Sequence, residues 1–237
     1  NKKVLSFVPI YSIVILTFVL IAVLGNQAVT VLSERLVTQN RHCIILDAGH
    51  GGEDGGAVSC TGVYEKKLNL EISLKLQDLF HLLGYNAKMI RSSDCSVHTS
   101  GNTIAARKAS DLKNRVNFVN QTKNAVLLSI HQNHYPDSNG AQMFYANTPS
   151  SENLAKKLQE SFVQHLNKSS NRAAKKAEGI YIMKHVDKPA VLVECGFLSN
   201  PTEEAMLCSD TYQKKIGIVI ATTVSQFLTE QQTLAII

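Results

Sequence analysis

The sequence predicts a single α/β domain with a central mixed, mostly parallel β-sheet flanked by helices on both faces, preceded by an N-terminal hydrophobic helix. Three observations lead there. From Cys43 onward, short β-branched or aliphatic runs alternate with longer stretches of helical period, the pattern of strands covered by crossover helices. Glu65 to Leu83 spaces Leu68, Ile72, Leu76, Leu79 and Leu83 three and four residues apart, giving one apolar helix face that Gly84 terminates. Val4 to Leu24 runs 21 residues without a charge, enough to cross about 30 Å of hydrocarbon as a helix.

Taken in order, the elements begin with that apolar run. Lys2 and Lys3 precede it, so the positive-inside rule leaves the long carboxy-terminal part outside the cytoplasmic membrane. Residues 1–24 are expected to form a membrane anchor, with a cleaved signal peptide as the alternative, although the region around Val23-Leu24-Gly25 has no clean Ala-x-Ala site. Residues 25–41 read as a juxtamembrane linker and 42–232 as one domain. Within it, strands are expected at Cys43 to Asp47, Asn86 to Arg91, Ala125 to Ile130, Ala141 to Ala146, Gly179 to Met183 and Ala190 to Glu194. Helices are expected at Glu65 to Leu83, Arg107 to Thr122, Ser151 to Leu166, Thr202 to Leu207 and Thr211 to Thr229. Ser92 to Ala106 has no periodicity and reads as a long loop, a mobile wall for a groove.

Composition narrows the function classes. With 44% hydrophobic and 18% charged residues the chain is not a disordered tail. The net charge is +5, and Lys2, Lys3 and Arg35 against Glu34 supply +2 of it, so the remaining +3 leaves no nucleic-acid footprint. Five cysteines without a CxxC pair indicate neither a zinc ribbon nor a dense disulfide framework. Cys43 and Cys195 fall in strand-like runs as buried thiols, whereas Cys60 and Cys95 lie in loops and could pair only in an oxidising compartment.

The chemistry concentrates at strand ends. Leu46-Asp47-Ala48-Gly49-His50-Gly51-Gly52 places a histidine just past the first strand among glycines that permit tight turns, and active sites gather at such ends in open α/β sheets. Val126-Leu127-Leu128-Ser129-Ile130 delivers His131 in the same way, and Val191-Leu192-Val193 delivers Glu194. Glu65 opens the first long helix. Two histidines and a carboxylate are a catalytic zinc set with an open position, and a further carboxylate can serve as the base.

Alternatives stay open on these grounds. The glycine turn fits neither GxGxxG nor GxxxxGK[ST], which argues against a nucleotide site. His134 could replace His131. Glu65 could be only a favourable first-turn charge, with Glu53, Asp54 and Glu71 as competing carboxylates. His42, His81, His98, His165 and His185 lack strand-end context.

Four ordered segments, Asp47-Ala48-Gly49-His50-Gly51-Gly52 with Gly56-Ala57, Gly62-x-x-Glu65, Ser129-Ile130-His131-Gln132-Asn133 and Val193-Glu194-Cys195-Gly196-Phe197-Leu198-Ser199-Asn200, together resemble the zinc-dependent N-acetylmuramoyl-L-alanine amidases of the Amidase_3 family. Leu112-x-x-Arg115-Val116 with Asn120 is similar to the family pattern as well. The resemblance spans roughly residues 42 to 229. It implies hydrolysis of the amide joining the muramic acid lactyl group to L-alanine of the peptidoglycan stem peptide. It also implies Zn2+ ligation by His50, Glu65 and His131, Glu194 as the catalytic glutamate, and Asn133 and Arg115 in substrate binding or site support.

The short anchored architecture looks like the amidases of spore-forming bacteria that strip stem peptides from muramic acid in cortex peptidoglycan, the step towards muramic lactam that prepares for germination. That likeness places the domain in the forespore or cell-wall space, with peptidoglycan as substrate and an accessory or activator protein as a possible partner. Only about seven residues, His134 to Gly140, separate the second histidine motif from the next expected strand, too few for the inhibitory helical insertion of some relatives. Two other readings remain: a zinc peptidase or deacetylase acting on the same wall, and a non-catalytic membrane-tethered wall-binding protein.

Overall fold

The computed structural model describes residues 13–25, 27 and 42–236. The chain divides into two units at residues 40 and 41. In the first, residues 13–25 are helical, with apolar side chains such as Ile13, Leu16 and Phe18 exposed. Among the described residues no helix is long and apolar enough to cross a membrane. The first part of the apolar segment, residues 4–12, and nearly all of the linker expected at 25–41 lie outside the described residues.

The second unit is the α/β domain. Its elements run β1 (Cys43–Ala48), α1 (Glu65–Leu82), β2 (Asn86–Met89), α2 (Ile104–Gln121), β3 (Ala125–Asn133), β4 (Gln142–Tyr145), α3 (Ser151–His165), β5 (Lys175–Lys176), α4 (Tyr181–His185), β6 (Ala190–Phe197), α5 (Pro201–Leu207) and α6 (Asp210–Ile236). The strands form one sheet in the order β2-β1-β3-β6-β4-β5. All neighbours are parallel except β4, which runs antiparallel to β6. The sheet is therefore mixed and mostly parallel, as the alternating pattern implies.

Alternation along β1 divides the core between the two faces of the sheet. Ile44 and Leu46 pack with Leu68, Ile72, Leu76 and Phe80 of α1 and with α3 and α6, while Cys43 and Ile45 pack with Val116 and Val119 of α2 and with Ile182 and Met183 of α4. The helix periods predict this division, since one apolar stripe per helix can cover only one face. At its C-terminal end, α1 closes with Leu83 and Gly84, the latter at φ 83°. Helix α2 starts on Thr103, whose hydroxyl accepts from the Ala106 amide at 3.1 Å. Helix α5 starts on Asn200, whose side chain accepts from the Thr202 and Glu203 amides, with Pro201 in the first turn.

Two expectations are corrected. Gly179 to Met183 is not a strand: Tyr181–His185 is a short helix, α4, that covers the sheet with Ile182 and Met183. A short apolar run has no period of its own, so packing against α2 decides it. The added edge strand is instead Lys175–Lys176, a polar pair held by backbone pairing to Phe144 and Tyr145, which hydrophobicity does not mark. Strands β3 and β6 also run past their expected ends, to Asn133 and Phe197, and α6 extends to Ile236.

All five cysteines are free, Cys43 and Cys195 buried and Cys60, Cys95 and Cys208 exposed.

Candidate metal centre

Strand order assembles the site. The order in which strands are added reverses at β1, since β2 lies on one side of it and β3 on the other, and ligand sites in open α/β sheets form beyond the carboxyl ends of strands at such a switch. In register, Asp47 stands opposite Ser129 and His131 opposite Glu194. Parallel partners in register share a face, so β3 and β6 present His131 and Glu194 side by side.

His50 follows β1 in the left-handed region, at φ 62°, flanked by Gly51 and Gly52, which also have positive φ. This turn aims its imidazole at the start of α1. His50 Nε2 lies 3.1 Å from Glu65 Oε2, and His131 Nδ1 lies 3.0 Å from Glu65 Oε1. The two rings meet edge to face with centroids 5.1 Å apart. One donor atom from each of His50, Glu65 and His131 falls within 4.8 Å of the others, which makes this a possible metal site among the described residues.

Glu65 is held by the backbone as well as by the imidazoles. Its carboxylate accepts from the Ala57 amide at 2.9 Å, the Gln132 amide at 3.1 Å and Asn69 Nδ2 at 3.1 Å. Burial works against its ionisation, but the two histidines outweigh burial and hold its carboxyl far below the usual carboxylate range. For His50 burial opposes the charged form, and the Asp54 and Glu65 carboxylates overcome it, raising the imidazole to about 9. Asp54 Oδ1 stands 3.0 Å from His50 Nδ1, and its other oxygen is 3.1 Å from Lys108 Nζ.

Glu194 differs from Glu65. Its Oε2 is buried without a hydrogen-bond partner. Burial pushes the carboxyl up to about 7, opposed by His131 and reinforced by the negative charge of Glu65. A carboxylate with that proton affinity beside two imidazoles can take and return a proton near neutrality.

Arg115 lies beneath the turn, 2% exposed. It donates to Asp47 Oδ1 at 2.5 Å, to Asp111 Oδ1, to the Ala48 carbonyl at 3.1 Å and to the His50 carbonyl at 2.8 Å. Asp47 also accepts from Ser129 Oγ at 2.6 Å. Asp47 therefore supports the His50 turn through Arg115 rather than by accepting from the imidazole. Asp111 in turn accepts from Ser96 Oγ and from the Val97 amide, tying the loop expected to be a mobile wall to α2. A cleft of about 200 Å³ opens beside His50 and His131, walled by Ile104, Lys108, Leu112 and Ile182.

Of the remaining expected site residues, Asn133 ends β3 with its side-chain oxygen accepting from the His134 amide at 2.8 Å, so it shapes the turn after that strand. His134 is exposed and outside the donor cluster. Glu53 pairs with Arg107, and Glu71 accepts from Gln213. Sequence reasoning missed Asn69 and Arg91. Asn69 lies four residues after Glu65 on the same helix face, a spacing that could have marked it. Arg91 lies two residues past β2, after a stretch whose polar Asn86 and Lys88 interrupt any apolar run, so no strand-end signal of the kind that marks Glu194 points to it.

The donor set fits a metal ion. Two imidazoles and one ionised carboxylate suit a borderline divalent cation with an open position. Gly56, at φ 68°, leaves the cradle free: a Cβ there would stand 2.6 Å from Glu65 Oε2 and 2.7 Å from the His50 ring.

Comparison with known proteins agrees with this geometry. Residues 44–226 match the family model described as N-acetylmuramoyl-L-alanine amidase. The chain is 38% identical over 192 residues to the germination-specific N-acetylmuramoyl-L-alanine amidase of Bacillus subtilis, covering 79% of this chain and 80% of that protein. The fold is similar to the CwlD amidase of Clostridioides difficile, solved in complex with the GerS lipoprotein, with a TM-score of 0.76 and 36% identity over 79% of this chain and 98% of that one. It is also similar to an N-acetylmuramoyl-L-alanine amidase from Clostridium difficile 630, with a TM-score of 0.70 and 30% identity over 80% of this chain and 98% of that one.

Proposed function

The chain belongs to the N-acetylmuramoyl-L-alanine amidase family, and from that premise we propose that it cleaves the lactyl–L-alanine amide of peptidoglycan with Zn2+ held by His50, Glu65 and His131 and with Glu194 as base. The observation that carries this reading is the partnerless, buried Glu194 Oε2 beside the three-residue donor cluster. When bound, zinc would supply Lewis acidity, polarising the scissile carbonyl and acidifying water in its coordination sphere. Glu194 accepts a proton from the attacking water and returns it to the alanine nitrogen as the C–N bond breaks, leaving a lactyl carboxylate and a free alanine amine. Its raised proton affinity suits both steps. Glu65 stays ionised and would offset part of the charge of the ion, while Arg115 holds the His50 carbonyl from below.

Cortex peptidoglycan of spores is the proposed substrate, supported by the likeness to the germination-specific amidase, with a role ahead of muramic-lactam formation. Action outside the cytoplasmic membrane follows from that substrate. Residues 1–24 serve as anchor or signal segment on the strength of their uncharged run behind Lys2 and Lys3. An accessory protein is the proposed partner, supported by the solved complex of the Clostridioides relative with a lipoprotein.

The test is digestion of defined spore and vegetative peptidoglycan by the full chain, with zinc or with chelator, beside Glu194→Gln, read by mass spectrometry. Zinc-dependent stem peptides with a free alanine amino terminus, absent in the variant, are expected. Deacetylated glycan with peptides still attached, or new ends within the stem peptide, would assign the site to another bond.

A further inference from the structure

Arg91, at the carboxyl end of β2, is 2% exposed, and no described hydrogen bond or ion pair joins it to a carboxylate. All of its described donors go to backbone carbonyls. Nε donates to Ala48 at 2.8 Å, Nη1 to Ser93 at 3.0 Å, and Nη2 to both Gly49 and Lys66 at 2.9 Å. Gly49 directly precedes His50, and Lys66 directly follows Glu65. One terminal nitrogen therefore spans the backbone of two donor-bearing segments, the turn after β1 and the first turn of α1. Asn69 braces the same pair from another side, donating to the Gly49 carbonyl at 3.2 Å and to Glu65 Oε1.

The surrounding chain makes room for this side chain. Gly51, at φ 130°, would place a Cβ 2.8 Å from Arg91 Nε and 2.9 Å from its Cδ. Burying a guanidinium without a directly bonded anion is costly, and apolar residues of similar volume commonly serve stability as well or better at such places. Stability alone is a poor reason for arginine here, whereas a planar fork that reaches three backbone segments at once is a good one.

We propose that Arg91 is a positioning residue that sets the separation of His50 and Glu65, and hence the geometry of the donor cluster, by holding the Gly49 and Lys66 carbonyls on one nitrogen. It touches neither the substrate nor the ion. This rests on His50 and Glu65 being zinc ligands, the reading given above. A lysine at the position keeps the charge but lacks the fork, so it does not restore the geometry.

Zinc affinity of the full chain is measured by competition with a chromophoric chelator for wild type, Arg91→Lys and Arg91→Met. Metal-free melting temperature and the visible spectrum of the Co2+-substituted protein are recorded alongside. Ile72→Val, a core change away from the site, serves as the stability control. Both Arg91 variants are expected to weaken zinc binding by about tenfold or more and to alter the Co2+ bands, with Ile72→Val leaving both unchanged. Wild-type zinc affinity and Co2+ spectra in both Arg91 variants overturn the proposal. So does a loss of affinity in Ile72→Val matching theirs, because the effect would then track stability. Wild-type protein that binds no zinc overturns the ligand assignment itself.

Discussion

Gly49 has no side chain because His131 occupies the space where one would go: a Cβ there would stand 2.2 Å from ring Cε1 and 2.3 Å from Nε2. Gly49→Ala is therefore expected to displace the His131 imidazole and abolish metal binding, while the sheet on either side persists. Equilibrium dialysis with zinc and a circular dichroism spectrum check both halves of that statement. The Glu194 carboxyl carries a different signature. Its proton affinity rises from an ordinary 4.5 to about 7 in the folded protein, so between these values the folded state holds a proton that the unfolded state has lost. Its contribution to stability therefore falls as pH rises through that window, and the full penalty is present above it. In chelator, Glu194→Gln is expected to gain stability over wild type from pH 4 to pH 8, by up to about 3 kcal/mol. A difference independent of pH in urea titrations would contradict this. The chemistry at these positions was legible in the sequence because a polar residue at the end of an apolar run is a local signal. Arg91 carried no such signal, since Asn86 and Lys88 interrupt the run before it, and its role lies in which carbonyls it reaches.

At the scale of elements, the helices were legible where their period was long. Of the expected α1 stripe, Leu68, Ile72 and Leu76 are buried while Leu79 and Leu83 are half-buried and Phe80 takes the buried place at that end; α1 ends one residue before its expected end, whereas α6 runs seven residues past Thr229. Helix α2 starts three residues earlier than its apolar period indicates, because Thr103 caps it. Thr103→Ala is expected to cost about 1 kcal/mol, read as a lower urea midpoint with an unchanged slope. The cap matters to the site because α2 carries Lys108, Asp111 and Arg115. Short elements were not legible. The run around Tyr181 satisfies strand and helix patterns equally, and only burial of Ile182 and Met183 against α2 and the sheet selects a helix. Lys175–Lys176 pairs as a strand through backbone groups alone, so no side-chain pattern announces it. The loop before α2, expected to be mobile for want of periodicity, is fastened by Asp111, by Asn114 to the Val97 carbonyl and by Asp94 to the Gly52 amide.

For the whole molecule, the site is a property of strand order. His50 follows β1, and His131 and Glu194 lie in β3 and β6; these three strands are consecutive in the sheet but interrupted in the chain by β2, β4 and β5. A metal ion bound there ties these strands to α1, and a ligand bound only by the folded state stabilises it by mass action. Zinc at about a thousand times its dissociation constant is worth about 4 kcal/mol, so excess chelator is expected to lower the melting temperature by about 10 °C. A chelator-independent melting curve would show that the folded state does not hold the ion. The sequence by itself determined the class of fold, the long helices and which side chains stand at strand ends, because period, caps and strand-end position are local properties. The tertiary structure decided what those ends meet. His131 beside Glu194, Arg115 under His50, and Arg91 between Gly49 and Lys66 all depend on strand pairing and packing between distant segments, which are set by the folding of the whole sheet.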